Sequence, residues 1–341
     1  MRWMPCVARS WSGDRLSVVV GHPLVDEYLE FCRSRCRPNT IIAIAWDLKT
    51  FFAFVDKPPV KVTSADVMGF IRAQMVGTSN VVRLDGTGGV SARTIRRRVS
   101  SVSGFYSYLL ARDDTTVTRN PVPRGLATRR EKSRPRQGVP LVRNVKTLPR
   151  ILSPTEVDAL VRVLRTNRDR AMVEAMVLGG LRRCEVLGLR LSDVQTGERR
   201  VFIADGKGGR QRLIPMSNRF FKTLSAYMKE ERPIDTPTDK VFVALKGPRR
   251  GLPLSAHGLD EIVQGARGRA GLSHATCHEL RHTCLTRLRE AGMSIEALQA
   301  QAGHASIETT RVYLHLADDW LAGEYRKAAA AIDAQNMKTP K

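Results

Sequence analysis

Apolar positions recur at helical spacing along most of this chain. From residue 22, HPLVDEYLEFCRS places Leu24, Val25, Tyr28, Leu29 and Cys32 on one face. PNTIIAIAWDLKTFFAFV predicts a second, longer helix with Asn39 as its cap. TSADVMGFIRAQMV predicts a third, capped by Thr63 or Ser64. SARTIRRRVSSVSGFYSYLL predicts a fourth, its apolar line running through Ile95, Val99, Val102, Tyr106 and Leu109. Between the last two, GTSNVVRLDGTGG is rich in turn residues and reads as a loop. The first twenty residues show weak periodicity and read as a leader.

A second run of helical patterns begins at SPTEVDALVRVL. Ser153 is the expected cap, Pro154 the first helical residue and Glu156 the partner that closes a capping box. RDRAMVEAMVLGG leads into LRRCEVLGLRLSDV. RVFIA and RQRLIPM then alternate as strands around the turn DGKGG and predict a hairpin. Helical patterns return, with Ser255 as a cap near His257, and continue through HELRH, MSIEALQAQAGH and the region of Tyr313. A tail helix through Trp320 and Leu321 follows. The expected fold class is mostly α with a small β-hairpin or sheet (α+β). The expected organisation is a leader at 1–20, an all-α domain at 21–112, a linker at 113–150, a second domain at 151–333 and a tail at 334–341.

Length and composition fit this division. A chain of 341 residues with 42% apolar residues has enough for two cores. Charge adds a partner. The net charge is +23, which favours a polyanion, and nucleic acid before a membrane. No apolar run approaches the ~20 residues a membrane span needs. Leu16 to Val20 is too short for a signal peptide, so the expected location is cytoplasmic. On the fourth helix, Arg93, Arg96, Arg97 and Arg98 lie off the apolar line and suit a phosphate-tracking face. From Arg129 to Arg150 there are eight Lys or Arg, including Arg129, Arg130, Lys132 and Arg134, and one acid, Glu131. Prolines keep that tether extended. It suits a DNA backbone, and equally a solvated linker. Six cysteines in a chain this long read as reduced thiols, with Cys32 and Cys36 four apart on one helix.

HELRH, residues 278–282, matches the H-E-x-x-H zinc pattern with its general-base glutamate. Its extended form wants Gly and His where this chain has Leu285 and Leu288. Arg281 also lies on the side of the helix that holds His278, where a dication would sit. The residues around the motif suggest another reading. Upstream, Gly180, Leu181 and Arg182 are followed by Glu185. Lys207 stands at the hairpin tip in GKGGR. Downstream, His304 precedes Tyr313 by nine residues.

This ordered set resembles the tyrosine recombinase, or phage integrase, family. It matches the first arginine box (G-L-R-x-x-E), the hairpin lysine, the box H-x-L-R-H-T and the final G-H with its tyrosine. Each motif alone is weak; the four in order are specific. The resemblance implies a core-binding domain in the helical N-terminal part and a catalytic domain after it. It implies that Tyr313 is the nucleophile, that Arg182 and Arg281 hold the non-bridging phosphate oxygens, and that Lys207 protonates the leaving 5′-oxygen. His278 would help remove the tyrosine proton or hold the phosphate, and His304 would donate to a phosphate oxygen. Arginine suits this task because its fork matches phosphate bidentately. Glu185 would support the arginines, and His282 would be a packing residue. The expected cofactors are none, neither metal nor ATP. The expected assembly is a tetramer on two DNA sites acting through a Holliday junction, with the tail after Asp318 docking on a neighbour. Ala302 stands where the family prefers leucine. The short leader favours the two-domain type over integrases with an extra arm-binding domain. A mobile-element integrase or transposon recombinase is the preferred role, ahead of chromosome-dimer resolution. Three other readings stay open: a DNA-binding protein without chemistry, a type IB topoisomerase and a zinc peptidase.

Overall fold

The computed structural model describes residues 3–13, 15–76, 89–123, 141–142, 149–206, 211–304, 307–310, 313 and 326. It divides into two compact units, Met1–Lys146 and Thr147–Lys341.

The first unit is built on α1 (Pro23–Arg33), α2 (Pro38–Val55), α3 (Ser64–Val76) and α4 (Ala92–Leu110). Helix α1 buries Val25, Tyr28, Leu29 and Cys32, the face that its spacing predicts. Helix α2 buries Ile41, Ala45, Leu48, Phe51 and Phe52. Its cap position is Arg37 and not Asn39. Pro38 has no N–H to lose and a φ already suited to the first turn, so the helix starts two residues earlier. Ser91 caps α4 by accepting from the Thr94 backbone N–H. The centre is aromatic. Phe51 meets Phe70 edge-on at 5.1 Å, and Phe52 meets Phe105 edge-on at 5.8 Å.

Two expectations for this unit are corrected. The leader is an antiparallel hairpin, β1 (Ala8–Ser12) with β2 (Arg15–Val19). Leu16, Val18 and Val20 face the helical core and are buried there, so the leader is part of the unit, whose described residues from 21 to 112 are helical as expected. The expected linker also starts too early. Val117, Val122, Leu141 and Val142 pack on the same core, and Asn120 donates to the Ser103 carbonyl at 2.9 Å. Those apolar side chains hold the start and part of the end of that segment to the first unit. Arg129, Arg130, Lys132 and Arg134 lie outside the described residues.

The second unit surrounds α6 (Asn167–Val177), which is buried along almost its whole length. Helices α8 (Asn218–Glu230) and α10 (Cys277–Glu290) pack against it. Helix α5 (Pro154–Arg162) begins with the capping box of Ser153 and Glu156. Helix α7 (Arg183–Gly188) leads to a three-stranded antiparallel sheet of β3 (Val194–Gln195), β4 (Arg200–Ile203) and β5 (Arg212–Pro215). Val201, Ile203 and Ile214 turn inward from it. Ser255 caps α9 (Ala256–Arg269). Helix α11 (Ile295–Ala302) ends on Gly303 in the left-handed region, and the short α12 (Ile307–Thr310) follows. Among the described residues, no helix is long and apolar enough to cross a membrane.

Candidate active site

The second unit gathers two of the expected residues, Arg182 and Arg281, around the carboxylate of a third, Glu185. Glu185 is the third residue of α7, so its side chain can turn back to the start of that helix. Its Oε2 accepts from the Arg182 backbone N–H at 2.8 Å, and its Oε1 accepts from Arg182 Nη1 at 2.7 Å. Arg212, on β5, grips the same carboxylate with both terminal nitrogens at 3.0 Å. Arg281, on α10, brings Nη1 to 3.8 Å from it. Glu185 is only 3% exposed. Burial alone would push its carboxyl up. The bonds from Arg212 and the Arg182 backbone, with both positive charges, carry it below its ordinary value. Three guanidiniums thus face one carboxylate, and the cluster keeps a surplus of positive charge.

Arg281 is held on several sides. Its Nη1 donates to the Gly180 carbonyl, and its Nη2 donates to the Ala302 carbonyl at 2.6 Å. Nη2 also lies 3.2 Å from His304 Nε2. Burial, then repulsion from Arg182, lowers its pKa to about 10, so it stays charged at neutral pH. A guanidinium can only donate, so His304 Nε2 accepts. The imidazole proton is therefore on Nδ1, which donates to Thr310 Oγ1 at 3.0 Å. His304 is neutral: burial, followed by Arg281 and Arg182, lowers its pKa to about 3. Its ring stacks nearly parallel to Tyr313, centroids 6.2 Å apart.

Tyr313 is 1% exposed and lies against Leu285, Leu298 and Ala302. The small Ala302 is part of the floor under the phenol. Burial pushes the Tyr313 hydroxyl up to about 12, although the Arg281 charge opposes this. The hydroxyl sits 2.8 Å from His282 Nδ1. His282 Nε2 lies 2.8 Å from His278 Nε2. This corrects the expectation for His282, which is a direct partner of the tyrosine and not a packing residue. The ring of His278 meets His282. One helical turn separates the two histidines, so both rings share a face of α10 and only the nearer touches Tyr313.

Sequence reasoning missed Arg212. Nothing in its own neighbourhood marks it, because its partner is on another element. Lys207 lies outside the described residues, as do Trp320 and Leu321. On α4 the four arginines divide. Arg97 Nη1 donates to Asp47 at 2.7 Å, and Arg98 donates to Gln74. Arg93 and Arg96 are exposed. Three consecutive arginines span too wide an arc of a helix to share one outer face, so Arg98 turns inward. The zinc pattern finds no third donor: among the described residues no group of three or more His, Cys, Asp or Glu is gathered. Glu279 faces His274, 3.7 Å away.

Residues 150–319 match the model of the phage integrase family. Tyrosine recombinase XerC of Vibrio atlanticus (strain LGP32) is 31% identical over 248 residues, 70% of this chain and 73% of that protein. Tyrosine recombinase XerD of Listeria monocytogenes serotype 4b (strain F2365) is 29% identical over 312 residues, 89% of this chain and 97% of that protein. In fold, the chain is similar to the Tn1549 transposon integrase in complex with transposon right end DNA, with a TM-score of 0.66 at 18% identity. That match covers 89% of this chain and 98% of the other. The chain belongs to the phage integrase family. It is an enzyme of the tyrosine recombinase class, and the mostly helical fold with small antiparallel sheets is that of the class.

Proposed function

We propose that this enzyme cuts and rejoins double-stranded DNA at specific sites through a covalent 3′-phosphotyrosyl link to Tyr313. The observation that carries this reading is the placement of the Tyr313 hydroxyl beside a positively charged cluster anchored by Glu185. In the reaction Tyr313 Oη forms a bond to phosphorus as the bond from phosphorus to the 5′-oxygen breaks. The phenol gives up its proton, and the leaving oxygen takes one from Lys207, assigned by its place in the motif. Arg182 and Arg281 hold the non-bridging oxygens, where charge grows in the transition state. His304, whose N–H goes to Thr310 and not to a phosphate oxygen, holds Arg281 in place by accepting from its Nη2. The phosphotyrosyl ester keeps the bond energy for religation, so neither ATP nor a metal is needed.

On α4, Arg93 and Arg96 track the DNA backbone. Four copies act on two sites through a Holliday junction, in the cytoplasm, in the service of a mobile element. Digestion of a trapped adduct and mass mapping of the DNA-linked peptide tests the core of this reading. The linked peptide is expected to contain Tyr313. Linkage to any other residue would overturn it.

A further inference from the structure

We propose that His282 is a catalytic residue: it takes the proton of the Tyr313 hydroxyl and hands a proton on to His278. The proposal rests on Tyr313 being the nucleophile. The hydroxyl, His282 and His278 form an unbroken line, 2.8 Å at each step. A buried phenol O–H needs an acceptor. Among the described residues, the one that meets the Tyr313 hydroxyl is His282, through Nδ1. With Nδ1 accepting, the proton of the neutral imidazole is on Nε2, aimed at His278 Nε2.

The proton balance follows. As Oη bonds to phosphorus, its proton passes to His282 Nδ1. The proton on His282 Nε2 passes to His278 Nε2. His282 ends neutral in its other tautomer, and His278 ends as an imidazolium. This division fits the surroundings. The groups that face His282 are Arg281 and His278 on α10, His304 beyond α11, and Tyr313 itself. Cys284 of α10 faces the phenol, and Arg182 and Arg212 add their charge through the same cluster. A positive charge at His282 would be buried among cations. Burial, then His278 and Arg281, already lowers its pKa to about 4. His278 is exposed, and water can support the charge there. A tautomer exchange at the buried ring moves a proton outward without creating a buried charge.

The first test uses the free protein with 15N-labelled histidine. Ring-nitrogen NMR, with His282 assigned through His282→Gln, is expected to show the Nε2–H tautomer. Tyr313→Phe should shift the His282 Nδ1 resonance. An Nδ1–H tautomer, or a His282 imidazolium at pH 7, would overturn the relay. The second test compares single-turnover formation of the protein–DNA adduct. His282→Gln and His278→Gln should each slow it by about 10²-fold, the usual scale for a lost acid–base group. The double variant should be no slower than either, because both break one chain. Slowing that multiplies in the double variant would overturn the relay and leave the tyrosine nucleophile in place. Failure of the phosphotyrosyl reading would show instead as wild-type adduct that does not depend on Tyr313.

Discussion

Arg212 and Glu185 form the double clasp that organises the site. Both terminal nitrogens of Arg212, on a strand, meet both carboxylate oxygens of Glu185, on a helix, at 3.0 Å. Arg182 bonds the same carboxylate, and Arg281 stands behind it. The two arginines assigned to the phosphate therefore share a counter-charge that a third arginine steadies.

Breaking the clasp should be felt in both stability and rate. Arg212→Ala takes two bonds from a buried carboxylate that Arg182 and Arg281 still neutralise, and the loss of a hydrogen bond to a charged group costs about 1.5–3 kcal/mol. Thermal unfolding should show a lower Tm, with Arg212→Lys only partly restoring it because an ammonium cannot fork. Adduct formation should slow as well. An unchanged Tm in Arg212→Ala would remove the organising role.

Gly303 tests the same clasp from the opposite side. Its φ is +58°, and a Cβ there would stand 2.7 Å from Arg212 Nη1 and 2.9 Å from Cζ. Gly303→Ala should destabilise the protein through both the left-handed backbone, about 1–2 kcal/mol, and the displaced guanidinium. In an Arg212→Ala background the second part disappears. A double-mutant cycle by urea unfolding should therefore show coupling; strict additivity would contradict it.

Acid should weaken the second unit by way of His282 and His304. Their pKa values fall from 6.5 to about 4 and about 3 in the fold, burial being the largest cause. The folded state binds fewer protons than the unfolded chain between these values. The stability these groups supply is full above about pH 6.5 and is lost as pH falls toward 3. Denaturant unfolding from pH 7 to pH 4 should show a shallower pH slope in the double variant His282→Gln, His304→Gln. Equal slopes would deny that these rings are held neutral.

The arginines of α4 should separate by function. Alanine at Arg93 and Arg96 should weaken binding to duplex DNA and lower the salt slope by about 0.9 for each phosphate no longer neutralised. Alanine at Arg97 and Arg98 should instead lower the Tm. Asp47 is 1% exposed and bonded by Arg97 at 2.7 Å, with Arg98 close by. Anisotropy titrations at several salt concentrations, beside thermal unfolding, distinguish the pairs. A reduced salt slope only in the second pair would reverse the assignment.

Much of this was legible in the sequence because the strongest signals were local. The faces of α1 and α4, the capping box at Ser153 and the hairpin strands are periodicities or short motifs that a window can see. The order of the Arg, His and Tyr motifs pointed to the family before any geometry did. What escaped reading was set by distant partners. Arg212 lies 27 residues from Glu185, and only folding brings β5 against α7. His282 looked like filler because its distinction is the position of Tyr313, 31 residues away. The β1–β2 hairpin buries alternate residues on β2 alone, while β1 is exposed throughout, too short a pattern to mark a strand pair. Asp47 pairs with Arg97, which stays exposed, and lies close to Arg98, which turns inward from an apparently uniform basic face.

The central claim is the tyrosine nucleophile, and one measurement meets it most directly. Duplexes taken from the DNA flanking the chain's own gene are incubated with wild-type protein and with Tyr313→Phe, each with and without EDTA. SDS-resistant protein–DNA adducts are then counted. The predicted result is a wild-type adduct that survives EDTA and is absent from the phenylalanine variant. An adduct that persists in Tyr313→Phe, or one that EDTA abolishes in the wild type, would contradict the account.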